Sequence, residues 1–253
     1  MPHPPENVLV LGGTAEASHL AAALAEAGVR ATLSYAGRVA RPRPQPIPVR
    51  VGGFGGAAGL AGYLRANAVT HLVDATHPFA AQISANAVAA ARAACVPLMA
   101  LVRPPWLPEG ADRWTRVADV AGAVAALAGP PRRVMLAIGR QHIADFATRP
   151  QHFYLLRVVD PPDAPPPLPD HALVFDRGPF TPEGDLALMQ AHAIDLLVAK
   201  NAGGQGAGAK ILAARTLELP VVMIDRPAVP PRPEAASVAQ VMGWIAHSAD
   251  LGV

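Results

Sequence analysis

The chain has 253 residues, 51% of them hydrophobic and 16% charged, with a formal net charge of only +2. That length supplies an ample core for one large or two small domains, and that composition excludes a disordered chain. The weak charge, with aromatics at 5%, provides neither a basic face nor stacking platforms, so no nucleic acid partner is expected.

The chain opens on an apolar run, Val8–Leu11, that ends in Gly12-Gly13-Thr14 and passes into an Ala-rich helical stretch, Ala15 to Ala27. Strand, glycine turn and helix N-terminus together make an anion site, because unpaired backbone N–H groups and the positive end of the helix dipole face the ligand. The fingerprint is incomplete, since Ala15 and Ala17 stand where later glycines would be. Thr14 also suits an N-cap, and Glu16 suits the first helical turn. The next strand, Ala31–Tyr35, does not end in the acid that would hold a ribose 2′-hydroxyl. It ends Ser34-Tyr35-Ala36-Gly37-Arg38. A hydroxyl and a guanidinium there suit a 2′-phosphate, so an NADP-binding protein is the expected reading.

A third strand, Pro48–Val51, leads into Gly52-Gly53-Phe54-Gly55-Gly56, a loop bare enough for backbone to approach a flat ligand. A helix (Ala57 to Asn67) and a strand (His71–Asp74) follow. Asp74-Ala75-Thr76-His77-Pro78 then places three polar side chains at a strand end ahead of a helix from Phe79 to Ala94. Capping explains Thr76 or His77 equally well, while His77 could also be an acid or base by its chemistry. A strand at Pro97–Val102 and a helix at Val117 to Leu127 precede Gly129-Pro130-Pro131, which reads as a domain boundary.

The pattern then restarts. Strands are expected at Val134–Ile138, Phe153–Val159, Ala172–Phe175, Asp195–Ala199 and Val221–Ile224. Helices are expected at Gln141 to Thr148, Pro182 to Ala193, Ala207 to Leu217 and Ala235 to His247, with a proline-rich loop from Pro161 to Pro169. Short, continuous apolar strands alternating with helices indicate an α/β fold with mainly parallel sheets. The expected architecture is two Rossmann-like open-sheet domains, residues 1–129 for NADPH and 130–253 for substrate, with the ligand cleft between them. In the second half, Arg140, Arg177 and Lys200-Asn201 follow strands. Converging cations there indicate a substrate rich in carboxylates or phosphates.

Other chemistries lack their residues. The nine histidines form no H-x-x-x-H pair and one cysteine makes no thiolate cluster, so no metal is expected. There is no G-x-S-x-G, and Lys200 precedes its glycines rather than following them as in a P-loop. The lone Cys95 fits a reducing cytoplasm, the expected location. The longest apolar candidate, Phe79 to Val102, is interrupted by Gln82, Ser84, Asn86, Arg92 and Pro97, so no membrane span is expected. Met1 to Pro5 carries no secretory pattern.

Taken in order, LGGTAEA (11–17), SYAGR (34–38), GGFGG (52–56), DATHPFA (74–80), RPPW (103–106), IGR (138–140), RGPF (177–180) and KNAGG (200–204) make the chain resemble the precorrin-6A reductase family of cobalamin biosynthesis. Relatives often carry Ser where Ala202 stands, so no hydroxyl role is assigned there. The resemblance implies two Rossmann-like domains and NADPH-dependent hydride transfer to the ring D double bond of precorrin-6A, giving precorrin-6B. It implies cofactor contacts from Gly12, Gly13, Thr14, Ser34, Gly37, Arg38, Gly53, Phe54 and Thr76. It also implies substrate contacts from Arg140, Arg177, Lys200 and Asn201, with Lys200, Asp74 and His77 as the candidate catalytic groups. Expected partners are the tetrapyrrole substrate and, transiently, neighbouring enzymes of the pathway. Two alternatives stay open on sequence: a cobalt-loaded substrate, and a non-catalytic NADP-binding regulator that would need only the first-half site. A Tyr-x-x-x-Lys short-chain reductase is disfavoured, because Leu196 and Gly206 stand four residues before the two lysines.

Overall fold

The computed structural model describes residues 6–36, 44–158, 162, 164–176, 178, 180–204 and 206–251. Gly37, Arg38 and Arg177 therefore lie outside the described residues. The chain divides into two compact units: Met1–Pro104 with Ala228–Val253, and Pro105–Pro227.

The first unit begins β1 (Asn7–Leu11), α1 (Ala15–Glu26), β2 (Arg30–Tyr35), β3 (Val49–Val51), α2 (Gly56–Ala66), β4 (His71–Asp74), α3 (Ala81–Ala94) and β5 (Leu98–Leu101). The second contains β6 (Trp114–Val117), α4 (Val120–Ala126), β7 (Arg133–Ala137), β8 (Phe153–Val158), β9 (His171–Phe175), α5 (Pro182–Ala191), β10 (Leu196–Lys200), α6 (Ala209–Thr216) and β11 (Val221–Ile224). The chain then returns to the first unit with β12 (Glu234–Ala235) and α7 (Val238–Leu251).

Each unit has one six-stranded sheet, ordered β12-β5-β4-β1-β2-β3 in the first and β6-β11-β10-β7-β8-β9 in the second. All pairings are parallel. Both orders are the doubly wound arrangement, which reverses direction between β1 and β4 in one sheet and between β7 and β10 in the other. Ligands of such sheets sit beyond the strands' carboxyl ends at those reversals.

The central strands explain their own burial. Every residue of β1 is buried, as expected of a strand covered on both faces. Helix α1 buries Ala17, Leu20, Ala21 and Leu24, the i, i+3, i+4, i+7 stripe of an amphipathic helix. Each fully buried leucine in such a stripe contributes about 1.5–3 kcal/mol relative to exposure.

The division differs from the expected boundary at 129/130. Gly129-Pro130-Pro131 is a turn between α4 and β7 inside the second unit. Strand β6 belongs with that unit because it pairs with β11, Trp114 opposite Val221. Strand β12 belongs with the first because it pairs with β5, Glu234 opposite Ala100. The six strands of the second sheet are thus consecutive in the chain, whereas the first sheet takes its outermost strand, β12, from beyond the whole second unit. A linear reading of alternating elements does not see such a return.

Two local expectations also change. The helix read from Val117 to Leu127 is a strand ending at Val117 and a helix capped by Asp119, whose carboxylate accepts from Gly122 N at 2.8 Å. Residues 141–148, read as one helix, form two 3₁₀ turns, Arg140–His142 and Ala144–Thr148. Ile143 and Phe146 are their buried anchors, and a spacing of three matches the 3₁₀ period.

His71 in β4 is 5% exposed and its ring meets Trp244 edge-on at 5.0 Å. Its Nδ1 pairs with Thr70 Oγ1 at 2.9 Å, while Nε2 is buried without a hydrogen bond. Burial holds the imidazole pKa below its ordinary 6.5, with Glu6 pulling weakly the other way. The unfolded chain therefore takes up this proton more readily than the folded one. The stability supplied by the neutral ring is complete above pH 6.5 and lost as pH falls through the lowered folded value. We expect the urea midpoint to fall between neutral pH and about pH 5, and His71→Phe to flatten that slope. An unchanged slope in the variant would assign the acid sensitivity to other groups.

Candidate active site

The first candidate site lies at the carboxyl ends of β1, β2, β3 and β4. A cavity of about 190 Å³ is lined there by Leu11, Gly12, Ser34, Ala36, Gly52 to Gly56, Leu60, Thr76, Ile83 and Asn86. Five of the predicted cofactor residues, Gly12, Ser34, Gly53, Phe54 and Thr76, share this wall. No carboxylate lines it among the described residues.

Glycine is required at particular points. Gly13 has φ +128°, and a Cβ there would meet nothing within 4 Å, so backbone is bare at the start of α1. Gly55 and Gly56, at φ +79° and +83°, turn the chain into α2. Gly12 is different. A Cβ on it would point at Leu33, 2.6 Å from Cδ1, so its smallness serves sheet packing as well as any ligand.

Thr14 takes the structural role open to it. Its hydroxyl accepts from Ala17 N at 3.1 Å and donates to Ala75 O at 2.8 Å, capping α1 and tying it to the β4 loop. That leaves its backbone, not its hydroxyl, for a phosphate.

Asp74 is 2% exposed and already committed. Its Oδ1 accepts from Thr76 N at 3.1 Å and Thr76 Oγ1 at 2.7 Å, and its Oδ2 accepts from Ser84 Oγ at 2.7 Å. Arg232 Nη1 lies 3.5 Å from Oδ2. The expected catalytic role of Asp74 is not supported by this arrangement, which makes it an ionic hub that aims Thr76 at the cavity. His77 accepts on Nδ1 from Phe79 N at 3.2 Å, so in the neutral ring the proton sits on Nε2, and the residue holds the turn before α3.

Three residues around this site escaped the sequence reading. Arg50 stacks on Phe54, its guanidinium carbon 3.8 Å from the ring centroid. Arg103 Nη1 reaches both oxygens of Glu16, at 3.1 and 3.0 Å. Arg232 is a side chain only 7% exposed. An arginine in such an arginine-rich chain carries no signal until the fold supplies its partner. For Arg103, its place in RPPW was the available hint.

The second candidate site lies at the carboxyl ends of β7 and β10. Lys200 ends β10, Arg140 opens the turn after β7, and the two strands are neighbours, with Ala199 opposite Ala137. The fold therefore brings these two predicted cations to one sheet reversal. Arg140 also lines a cavity of about 340 Å³ walled mainly by Ile143, Val158, Leu173 and the prolines at 162 and 165–167.

Asn201 follows Lys200, and its amide is paired with the backbone of Trp106. Oδ1 accepts from Trp106 N at 2.8 Å and Nδ2 donates to Trp106 O at 3.0 Å. The Trp106 indole donates to Gly204 O at 2.9 Å, and Arg226 donates to the carbonyls of Asn201 and Ala202 at 3.0 and 3.2 Å. The buried Lys210 ammonium lies 4.9 Å from the Trp106 ring centroid. Together these contacts fix the loop after Lys200. Asn201 braces this loop through one of its two amide N–H groups and its carbonyl oxygen.

Among the described residues, no group of three or more His, Cys, Asp or Glu side chains could hold a metal ion, and no helix is long and apolar enough to cross a membrane.

The chain is similar to known proteins from end to end. It is 59% identical over 240 residues to a precorrin-6A reductase of Rhodobacter capsulatus, covering 95% of this chain and 96% of the relative. It is 42% identical over 241 residues to a precorrin-6A reductase of Mycobacterium tuberculosis, covering 95% and 97%. A cobalt-precorrin-6A reductase of Priestia megaterium is 27% identical over 234 residues, covering 88% and 91%. A solved structure described as CobK precorrin-6A reductase superposes with a TM-score of 0.93 at 58% identity, covering 96% of each chain. The model of the family described as precorrin-6x reductase CbiJ/CobK matches residues 7–246. With both sheets and their strand-end clusters in the arrangement just described, this chain belongs to the precorrin-6x reductase family.

Proposed function

We propose that this protein reduces precorrin-6A to precorrin-6B in cobalamin biosynthesis, with NADPH as the hydride donor. The observation that carries this reading is the 59% identity, over 95% of the chain, to a precorrin-6A reductase. Identity falls to 26–28% with the cobalt-precorrin-6A reductases, which favours the metal-free macrocycle as substrate.

The first unit suits the cofactor. Its cavity is smaller than the roughly 300–1,000 Å³ of pockets that enclose a whole drug-sized ligand, so it houses one end of a dinucleotide. Gly13 leaves backbone bare at the start of α1, where a pyrophosphate is favoured by the helix dipole. Gly52, Gly53 and Phe54 supply a flat wall, and Ser34 stands at the end of β2 in place of an acid. When bound, the cofactor supplies the hydride, two electrons with one proton, to one carbon of the ring D double bond. A second proton from solvent completes the reduction, and the conjugated macrocycle spreads the intervening charge over its own nitrogens. The protein therefore has to orient and shield, and no acid group is needed at the reacting carbon.

The second unit suits the polycarboxylate. Lys200 and Arg140, at neighbouring strand ends, bind peripheral carboxylates, and Arg177 is assigned the same role by its place after β9. Anaerobic incubation with NADPH and either metal-free or cobalt-loaded precorrin-6A, followed by optical spectra, tests the activity directly. Consumption of NADPH only with the cobalt-loaded compound would overturn the choice of substrate. For Lys200→Ala and Arg140→Ala we expect KM for the tetrapyrrole to rise roughly tenfold each, with kcat within about twofold, because a lost charge-assisted contact removes uniform binding. The loss should shrink as salt screens the pair. A fall in kcat at constant KM for Lys200→Ala would instead place its ammonium at the transition state.

A further inference from the structure

We propose that Arg50 is a specificity-determining residue for the cofactor's 2′-phosphate, acting with Ser34; this rests on the NADPH reading above. Sequence reading looked for the 2′-phosphate partner in the loop directly after β2. The fold adds a second cation from β3. In the pairing of β2 with β3, Ser34 is opposite Arg50. The guanidinium lies against four wall residues of the first cavity at once. Its Nη1 donates to Gly52 O and, at 3.3 Å, to Ser34 Oγ, and Nη2 donates to Gly53 O at 2.8 Å. Its plane is held by the Phe54 ring at 3.8 Å and, farther off, by Tyr63 at 5.4 Å. Phe54 and Tyr63 in turn meet edge to face at 5.1 Å.

Three consequences favour an anion. Gly52 and Gly53 turn their carbonyls to Arg50, so the lone pairs that would repel a phosphate are already engaged. Ser34 is 4% exposed, accepts from Arg50 and lines the cavity, and its own hydroxyl proton has no acceptor among the described residues. A hydroxyl placed this way donates to a phosphate oxygen, and accepting from a guanidinium makes it a better donor. Finally, the three donated bonds use three of the five guanidinium N–H groups. That leaves the Nε–H and one Nη2–H without a partner among the described residues. The wall thus holds a fixed positive charge, a poised hydroxyl and no carboxylate, which is what separates a 2′-phosphate from a 2′-hydroxyl.

The test compares 2′,5′-ADP with 5′-AMP, which differ only by the 2′-phosphate, in calorimetric titrations of the intact protein. The wild type is expected to prefer 2′,5′-ADP. Arg50→Ala should weaken 2′,5′-ADP tenfold or more while 5′-AMP stays within about twofold, and Arg50→Lys should recover part of the loss. Ser34→Ala should lose a few-fold for 2′,5′-ADP only. Equal weakening of both nucleotides in Arg50→Ala, or none, would overturn the proposal and leave the NADPH reading standing. A wild type that binds the two equally would overturn the NADPH reading, and this proposal with it. Should Arg50→Ala fail to fold, Arg50→Lys and Ser34→Ala decide: selectivity unchanged in both overturns the proposal.

Discussion

Replacing Gly59 by alanine is expected to weaken NADPH binding tenfold or more. Gly59 sits one turn into α2, and a Cβ there would overlap the backbone carbonyl of Phe54. That carbonyl cannot swing aside as a side chain would. It belongs to the tight entry into α2, where Gly55 and Gly56 both have positive φ. The helix and the 52–56 loop must separate, and Gly53 and Phe54, two walls of the first cavity, move with them. Overpacking of this kind costs about 1–3 kcal/mol in stability. The larger effect is on binding, since a wall displaced by an ångström no longer matches a flat ligand. We expect at least a tenfold rise in the NADPH dissociation constant by calorimetry. Gly62→Ala is the matched control: same helix, nothing within 4 Å of the added Cβ, and a helix propensity gain of up to about 1 kcal/mol. NADPH affinity in Gly59→Ala equal to that of Gly62→Ala would show that the loop does not depend on this contact.

Removing the Asp74 carboxylate should cost more stability than removing any exposed charge. Asp74→Ala strips Thr76 and Ser84 of their acceptor and leaves Arg232 buried without its near counter-charge. Among the described residues, the other anion near Arg232 is Glu234, 3.9 Å from Nε and half exposed. Breaking one side of a buried ion pair typically costs about 3–5 kcal/mol. Urea unfolding at neutral pH should show a loss of that order, and NADPH affinity should fall because Thr76 is no longer held at the cavity. The double variant Asp74→Ala with Arg232→Met should recover much of the stability, because no unpaired charge is then buried. A single variant within about 1 kcal/mol of wild type would mean that Asp74 is not the hub its contacts describe. Turnover in a folded double variant would further exclude Asp74 as an obligatory proton donor.

Much of the first site was legible because its signal is local. A glycine turn after an apolar strand, a strand ending in serine and a second glycine loop each state their geometry within a few residues. Gly12, Ser34, Gly53, Phe54 and Thr76 do meet at one cavity. What the same reading missed is what lies behind that wall. Arg50 was silent because a guanidinium one strand away signals nothing until β2 and β3 pair in register. For Asp74 and Asn201 the sequence was silent on their hydrogen-bond and ion-pair partners for a related reason. A polar residue at a strand end looks available for chemistry until its partners, Arg232 and Trp106, arrive from distant segments.

The sequence by itself determined the α/β class, the parallel sheets and the strand-end loops that carry the candidate sites, because hydrophobic periodicity and glycine placement act over a handful of residues. It also determined the family, since DATHPFA and KNAGG stand in order with six other segments along the chain. Only the tertiary structure decided which strand completes which sheet. Strands β6 and β12 are short and bear no local mark of their partners. Pairing with β11 and β5 satisfies their backbone hydrogen bonds, and that choice is made across more than a hundred residues by the exposed edges of two otherwise finished sheets.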